Sequence, residues 1–196
     1  MDLKTDYLGF QLKNPIIATA GPLSKDIDDI KKMEDSGIAA ITLFSLFEEQ
    51  IEQESLELFH RTTAFTESYA ESTTYFPEIS NYKTGPEGYL ELIRKAKDTV
   101  DIPIIASLNG KSLGGWIDYA KKIQEAGADA LELNIYRLAT SAAITSQEIE
   151  KEYIEIVKTV KNSVSIPIAV KMHPFFSSVA YMAEQFAKVG ASGLVM

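Results

Sequence analysis

Short apolar runs alternate with amphipathic stretches along most of this chain. The runs lie at 16–20, 38–44, 102–108, 128–135, 166–172 and 193–196. They are continuous rather than alternating, as parallel strands covered on both faces require. Between them, apolar residues recur at helical spacing. Ile27, Ile30 and Met33 mark a helix over 26–36, and Tyr89, Leu92, Ile93 and Ala96 one over 86–99. Trp116, Ala120 and Ile123 mark a third over 115–126. Ile149, Tyr153, Ile156 and Val160 mark a fourth over 146–163, and a last helix is predicted over 178–189. Gly37 stops the first helix, Pro86 sits near the first turn of the second, and Ser146 is the predicted N-cap of the fourth. Ahead of the first strand, 7–15 reads as a short hairpin or plug.

Two units of this rhythm are near-copies. Lys97-Asp-Thr-Val-Asp-Ile-Pro-Ile-Ile-Ala-Ser-Leu108 matches Lys161-Asn-Ser-Val-Ser-Ile-Pro-Ile-Ala-Val-Lys-Met172 at an offset of 64. Gly127-Ala-Asp-Ala-Leu-Glu-Leu133 matches Gly190-Ala-Ser-Gly-Leu-Val-Met196 at an offset of 63. A repeat of two βα units signals a wound β/α chain with right-handed crossovers, either a doubly wound sheet or a (β/α)8 barrel. Polar residues at successive strand ends (Asn109, Asn134, Lys171) favour the barrel, because a doubly wound sheet gathers its site at one switch point. No Gly-x-Gly-x-x-Gly follows a strand, which counts against a dinucleotide site. The fold class expected is therefore α/β, of the (β/α)8 TIM-barrel type. It is incomplete here: about five βα units and the start of a sixth strand, where about 250 residues is typical. No linker or composition shift divides residues 1–196, which read as a single domain lacking the last barrel strands.

The rhythm breaks over 45–86, a segment both acidic and aromatic, with 47–59 open to a helix. More than forty residues between strands is long for a plain connection, so it reads as an elaborated functional loop, the plainer alternative being a surface excursion with no role. Net charge is −9, which counts against a nucleic-acid surface. No apolar run reaches the roughly 18 residues of a membrane span. Cysteine is absent, which removes thiolate chemistry and disulfides and fits a cytoplasmic location.

Asn109, Asn134 and Lys171 end successive strands and so share one rim of a barrel. A lysine beside two amides suits a flat, electron-rich heterocycle such as reduced flavin, whose negative charge it would balance. The plainer alternative is that Lys171 caps its strand and pairs with an acid such as Glu132. His173 is a candidate acid or base or an ordinary loop residue, His60 a solvated one. The Glu48-Glu49-Gln50-Ile51-Glu52 run reads as a charged helix face rather than a metal site, and Trp116 as core.

Asn14-Pro-Ile-Ile-Ala-Thr-Ala-Gly21, Ile102-Pro-Ile-Ile-Ala-Ser-Leu-Asn-Gly110, Ala130-Leu-Glu-Leu-Asn134 and Ile166-Pro-Ile-Ala-Val-Lys171 resemble the FMN-dependent dihydroorotate dehydrogenases. The resemblance implies an FMN-binding oxidoreductase acting on a CH–CH group in pyrimidine biosynthesis. It implies flavin contacts from the backbone of Ala20 and Gly21, from the Asn134 side chain, and from Lys171 at the ring's N1 side. Asn109 is a further flavin-side candidate. The departures fall on the substrate side. Ile41-Thr-Leu-Phe-Ser45 lacks the family's lysine after the second strand, and Thr74-Tyr-Phe-Pro-Glu78 stands where the family has Asn-Gly-Leu-Pro-Asn. Arg137 lies near the position of the Ser or Cys base, with Tyr136 beside it. Tyr136 is thus the candidate proton-handling group and Arg137 a bidentate holder for a small anionic substrate. Tyr69, Tyr75 and Phe76 would give a more aromatic pocket. The alternatives are a flavin-less lyase or isomerase using Lys171, or an inactive fragment.

An open barrel leaves the edge of its sixth strand unpaired, and such an edge templates association. The 196-residue chain is therefore expected to self-associate as a homo-oligomer or aggregate in sedimentation. A heat-stable, monodisperse monomer would contradict this.

Overall fold

The computed structural model describes residues 2–63 and 85–196. A short antiparallel hairpin, β1 (Thr5–Tyr7) and β2 (Phe10–Leu12), leads into six parallel strands in sequence order. These are β3 (Ile17–Ala18), β4 (Ala40–Phe47), β5 (Ile104–Asn109), β6 (Ala130–Leu133), β7 (Ile168–Lys171) and β8 (Gly193–Val195). The helices are α1 (Ile27–Asp35), α2 (Glu48–Thr63), α3 (Glu87–Thr99), α4 (Leu113–Glu125), α5 (Ser146–Ser163) and α6 (Val179–Lys188). A single 3-10 turn, Pro22–Lys25, links β3 to α1.

Strand alternation separates two cores. Ile41, Leu43, Ile104, Leu108, Leu131, Leu133 and Val170 join Ile30, Ile93, Trp116, Val157 and Phe186 of the helices in one apolar cluster. The opposite parity gives a second cluster in which Leu8 and Leu12 of the hairpin pack on Ala40, Ile105, Ala130 and Ala169. Helices thus cover one face of the sheet and the hairpin plugs the other. A doubly wound sheet would carry helices on both faces, so the curled half-barrel is the architecture the packing selects. The plug also explains the small residues beneath it. A Cβ on Gly193 would come within 2.7 Å of Leu8 Cδ2.

The repeat has a physical basis in side chains that reach from one unit to another. Glu34, near the end of α1, accepts from the amides of Asp101 and Ile102 at 2.8 and 3.2 Å. Gln124, near the end of α4, accepts from Ser165 and Ile166 at 2.6 and 3.2 Å. Each hook satisfies the amides that lead into the strand two units on. Gly37, Gly127 and Gly190 carry φ of +94°, +96° and +101° and reverse the chain after their helices. A side chain there would be strained, which is why glycine recurs at this turn.

Three expectations need correction. The strand read as 38–44 begins at Ala40 and continues to Phe47, so the break in rhythm starts later than at Ser45. The N-cap of α5 is Thr145, not Ser146: its backbone is extended, and it forms a reciprocal capping box with Glu148. On α5, Val157 is fully buried where Ile156 was expected, and Ile156 packs at the margin.

The β4–β5 ladder shifts between Thr42 and Ser45. At that irregularity the hydroxyl of Tyr89, from α3, accepts from the Ser107 amide at 2.9 Å and donates to the Ser107 carbonyl at 3.2 Å. Burial raises the Tyr89 phenol well above its ordinary pKa, so it remains a donor at any physiological pH. Tyr89→Phe strands both backbone groups and is expected to cost roughly 1–3 kcal/mol, read as a lower denaturant midpoint at unchanged slope. A loss below about 0.5 kcal/mol would show that water replaces the hydroxyl.

Candidate functional site

The strand register aligns the rim. Ser107 is opposite Glu132 and Leu108 opposite Leu133; Leu133 is opposite Val170. One residue further on, Asn109, Asn134 and Lys171 fall level on three adjacent strands, about 4.8 Å apart from strand to strand. The ladder reaches this level, because the Asn134 amide donates to the Leu108 carbonyl at 2.9 Å. Lys171 is itself opposite Val195 of β8. All three rim residues are half-buried.

One level below, the concave face is polar. Glu132 is 4% exposed. Its carboxylate lies 3.6 Å from Lys171 Nζ, whose side chain is 38% exposed. Ser107 Oγ donates to Glu132 at 3.4 Å and shares a 2.8 Å hydrogen bond with Ser45 Oγ. Burial, and secondarily the Glu132 charge, raise the pKa of Tyr7 in the hairpin. The plainer alternative for Lys171, an ion pair with Glu132, is therefore present. It does not remove Lys171 from the rim, since the pair spans the step between the two levels. Sequence reasoning named Glu132 only as a partner. Its signal was an acid at inward strand parity between Leu131 and Leu133.

Tyr136 and Arg137 sit elsewhere on the same end of the barrel. Together with Asn109 they line a cleft of about 620 Å³ over α4 and α5. The Arg137 guanidinium is paired with Glu152 of α5, and its amide donates to Tyr153 Oη at 3.0 Å. Tyr136 is 56% exposed. Its ring stands edge-on to His173, 6.3 Å between centroids. His173 stacks on Phe176 at 4.1 Å, and burial lowers its pKa. Its Nδ1 accepts from the Phe175 amide at 3.1 Å, so His173, on the loop after β7, packs in an aromatic cluster.

Ala20 and Gly21 follow β3 and are half-buried. The Gly21 carbonyl accepts from Ser24 Oγ at 2.8 Å, and Ser24 Oγ in turn accepts from the Phe44 amide at 2.7 Å. This ties the segment to β4. Tyr69, Tyr75, Phe76 and the 74–78 segment lie outside the described residues, as does the side chain of His60.

Glu48 departs from the surface role expected of its run. It is 5% exposed and caps the start of α4, accepting from the amides of Lys111 and Ser112 and from Ser112 Oγ. Gly115 makes room for it: a Cβ there would lie 2.2 Å from the carboxylate. Glu52 keeps a surface role, with Lys111 at 3.1 Å.

A parallel half-barrel with helices outside and a lysine–amide rim defines a β/α-barrel protein. Solved structures agree on the fold. A putative dihydrodipicolinate synthetase from Pseudomonas aeruginosa superposes with a TM-score of 0.54 at 13% identity, over 88% of this chain and 51% of that one. Phosphonopyruvate hydrolase gives 0.53 at 15% identity, over 91% and 56%. The sequence profile of dihydroorotate dehydrogenase matches residues 80–196, and the chain belongs to the dihydroorotate dehydrogenase family. The catalytic subunit of dihydroorotate dehydrogenase B (NAD(+)) from Methanocaldococcus jannaschii is 27% identical, over 98% of this chain and 61% of the relative. Its Thermoplasma acidophilum counterpart is 26% identical, over 99% and 62%. The chain thus spans about three fifths of the length of these relatives.

The Glu48 cap makes stability depend on pH. Burial opposes the charge, but the Lys111 amide, the Ser112 hydroxyl and the Ser112 amide together hold its pKa below the ordinary 4.5. A depressed folded value stabilises the protein above the unfolded pKa, and the contribution disappears as pH falls through the folded one. Glu48→Gln is expected to lower the melting temperature at neutral pH and to flatten its decline between about pH 5 and pH 3. Parallel melting curves for the two proteins would contradict this.

Proposed function

We propose that the chain is an FMN-dependent oxidoreductase domain of the dihydroorotate dehydrogenase type, acting on a CH–CH group of a small anionic substrate. The observation that carries this reading is the level placement of Asn109, Asn134 and Lys171 on three adjacent strands. The donor set fits a flavin. Two amides offer both donors and acceptors to ring N–H and carbonyl groups, and the ammonium offers a positive charge at the same edge. FMN, when bound, supplies the two-electron acceptor. Lys171 balances negative charge there, and Asn134 holds ring polar atoms. Ala20 and Gly21 approach by backbone, with the Gly21 carbonyl already committed to Ser24. Tyr136, open to the cleft it shares with Asn109, is the group we assign to proton exchange. Arg137 would trade Glu152 for a substrate carboxylate. A cytoplasmic location and assembly as a homo-oligomer belong to the same reading.

Dihydroorotate itself is a poor match. Its amide edges need polar partners at fixed positions, and a site lacking them discriminates against it by orders of magnitude. Arginine cannot replace the Ser or Cys base, because it stays protonated. The test is anaerobic mixing of the FMN-loaded protein with dihydroorotate while flavin absorbance at about 450 nm is followed. Slow or absent bleaching is expected, and Asn134→Ala is expected to weaken FMN binding by roughly 1–3 kcal/mol. Rapid, complete bleaching would show that the family substrate is retained; failure to bind FMN at all would remove the flavin reading.

A further inference from the structure

We propose that Glu132 is a positioning residue for Lys171: its buried carboxylate fixes the ammonium at the rim and sets the net charge offered to an anionic ring. The potential measurement below rests on the flavin reading; the labelling measurement does not. Barrel interiors are ordinarily filled by branched apolar side chains. This one places a carboxylate, 4% exposed, at inward parity on its fourth parallel strand. A charge so placed persists only when paired and hydrogen-bonded. Its neighbours supply both. Lys171 Nζ lies at 3.6 Å, Ser107 Oγ donates at 3.4 Å, and Ser45 backs Ser107 at 2.8 Å. Ser107, Ser45 and Tyr7 bring hydroxyls to this face, so Lys171 is the cation that the described residues pair with Glu132.

Two consequences follow. Lysine has a long, freely rotating stem. Here it cannot swing outward without orphaning the buried carboxylate, so the ammonium is held at the step between the rim and the level of Glu132. The pair is also neutral overall. A ring at the rim meets a dipole whose positive end faces it, not a full unit charge, and its reduced, anionic form gains less stabilisation than a lone lysine would give.

Glu132→Gln tests this, because the amide keeps its shape and an acceptor oxygen for Lys171 while removing the charge. In flavin-free protein, trace acylation with acetic anhydride, read by peptide mass spectrometry, should label Lys171 several-fold faster in the variant. Glu132→Asp, which keeps the charge with a shorter reach, should be intermediate. In FMN-loaded protein the flavin midpoint potential should rise in Glu132→Gln and fall in Lys171→Met. An unchanged labelling rate, or a potential that is unchanged or lower in Glu132→Gln, overturns the assignment. If the unaltered protein takes up no FMN, the flavin reading fails and the acylation rate alone decides the role of Glu132. Circular dichroism confirms that each variant is folded; should Glu132→Gln not fold, Glu132→Asp decides on the same two readouts.

Discussion

Glu132 and Lys171 share the concave face of a parallel sheet, and much of the half-barrel is arranged around that fact. A carboxylate among packed strands carries a desolvation penalty of several kcal/mol unless a cation and hydrogen-bond donors attend it. Lys171 supplies the cation from the next strand and Ser107 the donor from the previous one. Branched side chains at these positions would crowd the pair. Ser45, Ser107 and Ala169 leave it room, and the hairpin closes the space below with Leu8 and Leu12. The polar level is thus held between an apolar floor and an open rim.

The helical side solves a different problem. Strand amides not bonded within the sheet need partners, and several find them in side chains of other units. Glu34 and Gln124 serve the amides entering two of the strands. Asp129 accepts from the Ile104 amide at 2.7 Å while pairing with Lys97 at 2.8 Å. Tyr89 fills the irregularity between β4 and β5. These contacts link units that are distant in sequence, and they keep the rim residues in register. Register sets the composition of the rim, since a slip of one residue would turn Asn134 and Lys171 toward the helices.

Much of this was legible in the sequence, for identifiable reasons. The strands were visible because both faces are buried, and the helices because one face is. The two near-copies fixed the βα order, and the polar strand ends pointed to the rim. What escaped was the set of contacts that depend on side-chain reach. The end of β4 at Phe47 and the burial of Glu48 follow from a cap on α4, more than sixty positions away. The pairing of Arg137 with Glu152 depends on where α5 lies, which spacing does not reveal. Thr145 outcompeted Ser146 as N-cap because Glu148 stands three residues after it. Family resemblance named the rim residues proposed here for the flavin, and residues 80–196 match that family; the proposed substrate side rests on the departures from it.

A crystal structure of the protein with FMN tests the central claim most directly. On this account the isoalloxazine ring lies on the concave rim, within hydrogen-bonding distance of both Lys171 Nζ and the Asn134 amide, with Glu132 still paired beneath. A flavin seated instead in the cleft of Tyr136 and Arg137, with Lys171 untouched, would contradict it.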